Sequence, residues 1–361
     1  MIKIVLATSI LLGIVQPADP IANGGQKQTL LQSLNEAKAF LSVLPEKSLS
    51  ILANNSVLNS LSAENQIDWH VAKLNAARQL SNLPIMADSI GQIIELRALS
   101  ETNKVSTFVV NQMGIWFRRS GYLNEAKLSY LCTVDKTNEI SDRLRAISNL
   151  AVVERNQGNF HNAKILNNVA LKIAKKQREA SMIALIENNL GILAMDQDNA
   201  ELASQHFRVA LDLNHHNLRR SSEILNGINL LFSFVELERY GLYARFYPRV
   251  IRLLEAYPSE ARIAYLNWIH QTYLFRQNKH LSEQHKNQLL SDYDKVNDSG
   301  IQGLLYPYSQ ELGIDINPPN KAENKTFTGD WLSRIDQCDW DKYRTMSYAT
   351  LLETIYSSGS I

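Results

Sequence analysis

The side chains in this sequence whose type and spacing could do chemistry are a histidine group, two carboxylate pairs and two cysteines. His206, His215 and His216 fall within one short stretch, and a metal would need their ring nitrogens to converge with a carboxylate or thiolate. Adjacent histidines point in different directions on a helix, no carboxylate or Cys completes a site, and a helix C-terminus suits their charge. They read as structural. Asp196-x-Asp198 and Asp292-x-Asp294 open like calcium loops, yet neither continues to the required Gly and Glu. There is no GxxxxGK[ST] phosphate loop, no GxGxxG turn, no HExxH pair and no GxSxG elbow. Paired carboxylates for glycoside cleavage converge only in space, and nothing here points to them. Cys132 and Cys338 carry no CxxC or zinc spacing. A bridge between them would need Cα atoms within about 7 Å, so two unpaired thiols are expected. These observations predict a protein that is not an enzyme and that holds no metal or cofactor.

Composition narrows the setting. The 361 residues suffice for two average domains or one elongated array. A hydrophobic content of 45% fits a folded protein. Only 15 Gly and 9 Pro leave few turn-formers for a many-stranded sandwich. Lys+Arg 37 against Asp+Glu 36 supplies no global drive toward nucleic acid or anionic lipid. Near the N-terminus, Lys3 precedes the uncharged apolar run Ile4 to Val15, which has the length of a secretory h-region and is too short to span a bilayer. A polar stretch with Pro17, Pro20, Gly24 and Gly25 follows, where cleavage after Ala18 or Ala22 would fit. The expectation is a signal peptide over 1–22 and an exported, periplasmic chain with no spanning segment once it is removed. The alternative is a cytoplasmic chain that buries this segment.

The elements that position side chains are set by internal repetition. Three segments share one spacing: Met113 to Thr133, Leu150 to Leu171 and Leu190 to Leu211. Each opens on a large apolar residue followed by a small one: Met113-Gly114, Leu150-Ala151, Leu190-Gly191. A turn-former stands seven positions after the small residue (Gly121, Gly158, Asp198), and alanine twelve positions after it (Ala126, Ala163, Ala203). Then come Tyr130, Asn167 and Phe207, followed by Thr133, Ala170 and Ala210. Small residues on both helices let two backbones approach, large ones fill the gaps beside them, and the turn-former permits an antiparallel return. The spacing therefore predicts helix hairpins.

This pattern resembles the tetratricopeptide repeat family, whose W-x2-L-G-x2-Y opening is followed by Ala, Phe and Ala. The opening Trp is replaced by Val110, Ala146 and Glu187, the closing Pro is missing, and Asn167 replaces the aromatic. The period from Met113 to Leu150 is 37 and from Leu150 to Leu190 is 40, longer than in the family. The resemblance implies an all-α, right-handed α-α solenoid of such hairpins. The expected organisation is an N-terminal helical pair over 27–62, the solenoid over 66–305, and a connector with a C-terminal aromatic helical cap over 306–361. Leu230-Leu231 continue the register, with Tyr243 in place of the packing alanine, so that hairpin should splay. Pro307, Pro318 and Pro319 mark the connector, and Trp331, Trp340, Tyr343 and Tyr348 should pack on the last hairpin.

In such arrays the first helix of each hairpin lines the concave face. Counting from the small residues, the groove candidates are Asn111, Arg118, Arg119, Arg155, Asn156, Asn188 and Asp196, above an apolar floor of Ile147, Ile192 and Met195. Three arginines from two successive helices could converge on a carboxylate through bidentate hydrogen bonds. The resemblance implies a partner peptide or helix in that groove. The reading that follows is an exported scaffold or adaptor in an envelope complex, with an acidic protein partner and no nucleic acid. A periplasmic sensory or ligand-binding module is the alternative, and a cryptic hydrolase in the aromatic C-terminal piece a third reading.

Overall fold

The computed structural model describes residues 20–53, 58–98, 105–296, 298–317 and 325–357. The apolar run of the expected signal peptide lies outside them, while Ala22, one of its two cleavage positions, falls inside the first helix. Seventeen α-helices and no strand occur among the described residues. They pair in chain order. The first three pairs are α1 (Pro20–Phe40) with α2 (Pro45–Leu52), α3 (Ala63–Gln79) with α4 (Leu83–Ala98), and α5 (Thr107–Arg119) with α6 (Leu123–Lys136). Next come α7 (Ile140–Asn156) with α8 (Phe160–Lys176), α9 (Ala180–Met195) with α10 (Ala200–His216), and α11 (Arg220–Glu236) with α12 (Tyr240–Ala256). Finally α13 (Glu260–Asn278) pairs with α14 (Glu283–Val296), and α15 (Ser299–Leu312) lies on α13. Odd-numbered helices also touch the next odd-numbered helix, which puts them on the inner layer of an α-α solenoid.

The repeat spacing works as the packing argument requires. Gly114 lies under the Tyr130 ring and Gly191 under the Phe207 ring, so close that a Cβ would sit 2.6 Å and 2.4 Å from ring carbons. Both rings are fully buried. In the middle repeat Ala151 takes the glycine position, and the smaller Asn167 takes the ring's place, buried and accepting a long hydrogen bond from the Ser148 hydroxyl. The two positions trade volume. Hairpin turns use left-handed residues, with φ of 88° at Gly121, 81° at Gly158 and 55° at Asp198. The next amide then reaches five residues back, as Tyr122 N–H does to the Phe117 carbonyl and Asn199 N–H to Ala194. The α11–α12 pair packs less extensively than its neighbours, as the bulky Tyr243 implies.

Three expectations need correction. Cys132 and Cys338 form a disulfide with Cα atoms 5.5 Å apart. The connector begins later than residue 306, because Leu305, Tyr308 and Leu312 bury a continuous helix face despite Pro307 inside it. The aromatic C-terminal piece does not pack on the last hairpin. It returns to the α5–α6 hairpin, where α16 (Trp340–Thr345) and α17 (Tyr348–Ser357) contact α6. Phe327 and Trp331 join Trp116, Phe117 and Tyr122 in one aromatic cluster. The Tyr343 hydroxyl donates to Asp135 at 2.7 Å, the Phe327 N–H to Glu125 at 3.2 Å, and the Gln337 amide to the Val105 carbonyl. A strap sealed by the disulfide thus covers the outer helix of the third hairpin. These partners lie about two hundred positions away in sequence, so no local pattern could reveal them.

Candidate functional site: the inner channel

The inner helices do not all offer their polar residues to a ligand. Asn111 and Asn188 are buried, and both belong to a ladder that ties each repeat to the next. Asn149 donates to Asn111 at 3.2 Å, Asn189 to the Ser148 hydroxyl at 2.8 Å, and Asn229 to Asn188 at 2.9 Å. Tyr265 continues the series with a hydrogen bond to Asn229 at 3.1 Å. Each rung joins the residue three before the small position, or its neighbour, to the following helix. A buried amide between helices needs such a partner. Ile147 and Met195, expected as a groove floor, are likewise buried, and Ile192 is partly so.

Arg118, Arg119, Arg155 and Asp196 do come together, as the repeat register suggests. Arg155 Nε lies 2.9 Å from Asp196, which caps the C-terminus of α9. Arg119 donates to the Arg78 carbonyl at 2.7 Å, a second donor to a last-turn carbonyl of α3 that the Ser81 N–H already reaches at 3.3 Å. Arg276 does the same for the Val235 carbonyl at 3.0 Å, further along the array. Asn156 stays half-buried at the end of α7. A carboxylate of the chain itself, Asp298, lies in the field of all three arginines. Burial alone would raise the Asp298 carboxyl, but Arg119 and Arg118, the Ile301 N–H and Arg155 hold it below the ordinary carboxylate range. Asp298 also caps α15, accepting from Gly300 N at 3.0 Å and Ile301 N at 3.2 Å. For Asp196 burial wins over Arg155, and its carboxyl is raised.

Sequence reasoning missed Asp298, although an Asp just before a Ser-Gly-Ile helix start has the form of an N-cap. It missed Arg78, Arg145 and Arg219 too, whose places depend on how distant repeats face each other. The array turns far enough that the α3–α4 turn faces α13 to α15 across a cavity of about 1270 Å³. Leu225, Tyr247, Ile251, Leu254 and the half-exposed Ile263 give it an apolar wall. Its charged lining carries both signs: Lys47, Arg119, Arg262 and Lys295 against Glu46, Glu255, Glu260, Asp292 and Asp298. Several of these are already paired, Lys295 with Glu260 at 3.8 Å and Asp292 at 3.6 Å, and Arg262 with the Ser221 hydroxyl.

The histidines do not converge on one point, although the His215 and His216 rings lie edge to face at 5.7 Å. His206 contacts the buried Glu187 at 2.6 Å, His215 the buried Glu223 at 2.8 Å, and His216 the Asp212 carbonyl at 2.7 Å. Among the described residues no group of three metal-ligating side chains occurs, and no helix is long and apolar enough to cross a membrane.

No family model matches the sequence, and no curated protein matches it. Solved structures do. A Rap protein complexed with competence and sporulation factor overlays with a TM-score of 0.55 at 12% identity, covering 92% of this chain and 98% of that one. The apo form of RapI gives a TM-score of 0.48 at 11% identity, over 92% and 99%. BtubC from P. vanneervenii gives 0.39 at 15% identity, over 74% and 100%. The first of these likenesses shows the fold, a solenoid of tetratricopeptide-like helix hairpins.

Proposed function

We propose that this chain is an exported, non-enzymatic interaction scaffold that holds an extended partner segment in its inner cavity. The cavity carries the reading. Its volume exceeds the range of about 300–1,000 Å³ usual for small-molecule pockets, and its apolar wall with polar edges suits a peptide better than a nucleic acid. Asp298 already neutralises part of the arginine group, and the lining is of mixed sign. A segment bearing both charges, such as a peptide with free termini, therefore suits it better than a purely acidic one. That a Rap protein of similar fold is complexed with competence and sporulation factor supports a ligand-holding solenoid. The disulfide supports export, because such bonds persist in oxidising compartments.

A photo-crosslinking residue at Ile263, half-exposed inside the cavity, tests this against one at Val209, equally exposed on an outer helix. In envelope extract the Ile263 probe should trap one discrete polypeptide and the Val209 probe none. Equal labelling at both positions, or none at Ile263, refutes the cavity as the holding site.

A further inference from the structure

We propose that Arg78, Arg119, Arg145 and Arg219 form a binding site for a multiply charged oxyanion of the phosphate class. The four come from separate elements: the last turns of α3 and α5, the first half of α7, and the turn that opens α11. They nonetheless lie within one another's electrostatic reach. Arg119 donates to the backbone of Arg78, and Arg145, Arg119 and Arg219 are all close enough to Arg78 to disfavour its charge. The Nε atoms of Arg78, Arg119 and Arg145 are sealed from solvent and have no protein partner. Arg78, Arg145 and Arg219 make no ion pair among the described residues, whereas Arg155 has one.

The charge balance is one-sided. With Arg118 and Arg155, six arginines form a connected electrostatic group that includes four carboxylates, Glu139, Asp142, Asp196 and Asp298. Asp298 and Asp196 serve the Arg118, Arg119 and Arg155 end, and Asp142 alone faces Arg145. Burial lowers the Arg78 guanidinium to about 9, which still leaves it cationic at neutral pH. Crowded cations without counter-charge disfavour one another unless an anion joins them. All four heads are guanidinium forks, which match tetrahedral oxyanions bidentately, and no lysine belongs to the group. A single carboxylate would leave half of the excess charge uncompensated, while a phosphate-class dianion would balance it. The site adjoins the cavity through Arg119 and does not depend on a peptide being held there.

Calorimetric titration and thermal melting of the full chain with inorganic pyrophosphate test the proposal. Sodium chloride of equal ionic strength and a triglutamate peptide complete the comparison. Pyrophosphate should bind saturably and raise the melting temperature, with chloride inert and triglutamate much weaker. Arg145→Gln should weaken pyrophosphate binding more than tenfold while the ligand-free protein melts at the same or a higher temperature, because crowding is relieved. Arg219→Gln, at an exposed position, should weaken binding in the same sense without endangering the fold. Arg344→Gln, on the C-terminal strap, should change neither. The proposal is overturned if pyrophosphate gives no saturable binding, if triglutamate binds as tightly, or if neither arginine variant alters the affinity.

Discussion

Replacing Gly191 by alanine puts a methyl group where the Phe207 ring already lies. The new Cβ would stand 2.4 Å from Cε1, 2.6 Å from Cδ1 and 3.0 Å from Cζ of that ring. Phe207 has nowhere to go: it is 1% exposed and packed in a core with Ala203, Leu211 and Ile228. Overpacking of this kind costs about 1–3 kcal/mol, and the contact is close enough for the upper end. Alanine recovers about 1 kcal/mol through helix propensity, so Gly191→Ala should destabilise by about 2 kcal/mol. Gly91, in α4, is the internal control, since nothing lies within 4 Å of its Cβ position. Gly91→Ala should stabilise by about 1 kcal/mol. Urea unfolding followed by circular dichroism reads both. In a double-mutant cycle, Phe207→Leu should relieve the clash, giving a coupling of at least about 0.5 kcal/mol in the rescuing direction. If Gly191→Ala stabilises as Gly91→Ala does, or if the two changes add independently, the close approach of these backbones is not what the glycine is for.

Other expectations follow from separate features. Loss of the disulfide in Cys132→Ser with Cys338→Ser removes a closure of 206 residues, worth up to about 5 kcal/mol on loop-entropy grounds. Limited proteolysis should then cut within 325–357, while the helical spectrum persists. Burial lowers the proton affinity of His70 and His270 in the folded state. Their contribution is fully present above the unfolded value near 6.5 and is lost as pH falls through the lower folded value. Melting temperature should therefore drop between pH 7.5 and 5.5, and His270→Phe should flatten that slope. Leu218 holds a left-handed φ of 53° with its side chain 64% exposed. Leu218→Gly should stabilise by about 0.5–1 kcal/mol in urea unfolding, since the strain exceeds the entropy glycine adds.

The hairpins were legible because their determinants are local. Gly114 meets Tyr130 and Gly191 meets Phe207 within a single turn-back of the chain, so fixed offsets carry the contact. The same register put Arg118, Arg119, Arg155 and Asp196 on one face with Asn111, Asn156 and Asn188, but it could not tell the groove face from the seam between repeats. One residue on a helix is a rotation of about 100°, and that is enough to send Asn111 and Asn188 into the ladder instead of the channel. Longer-range pairings left no trace in the spacing. Asp298 reaches arginines more than 140 positions away, and the strap meets α6 through an aspartate and a cysteine that look unremarkable where they stand. An even-handed count of charges hid the arginine group as well, because a net charge of +1 averages over a locally cationic interior.

The Cys132–Cys338 bond also has a mechanical meaning. If the chain were stretched by its two ends, tension would pass from α6 through the sulfur atoms into the strap and bypass everything between. The hairpins α7 to α14, which build most of the cavity, would carry no load. Only the segments before Cys132 and after Cys338 could pay out. Cutting the bond would release a hidden length of about 700 Å, from 206 residues at roughly 3.4 Å each. A solenoid is ordinarily a spring whose every coil feels the pull. This one is short-circuited between the two sulfur atoms, so the α11–α14 wall of its channel keeps its shape under a pull that could draw away the facing wall of α2 and the α3–α4 turn.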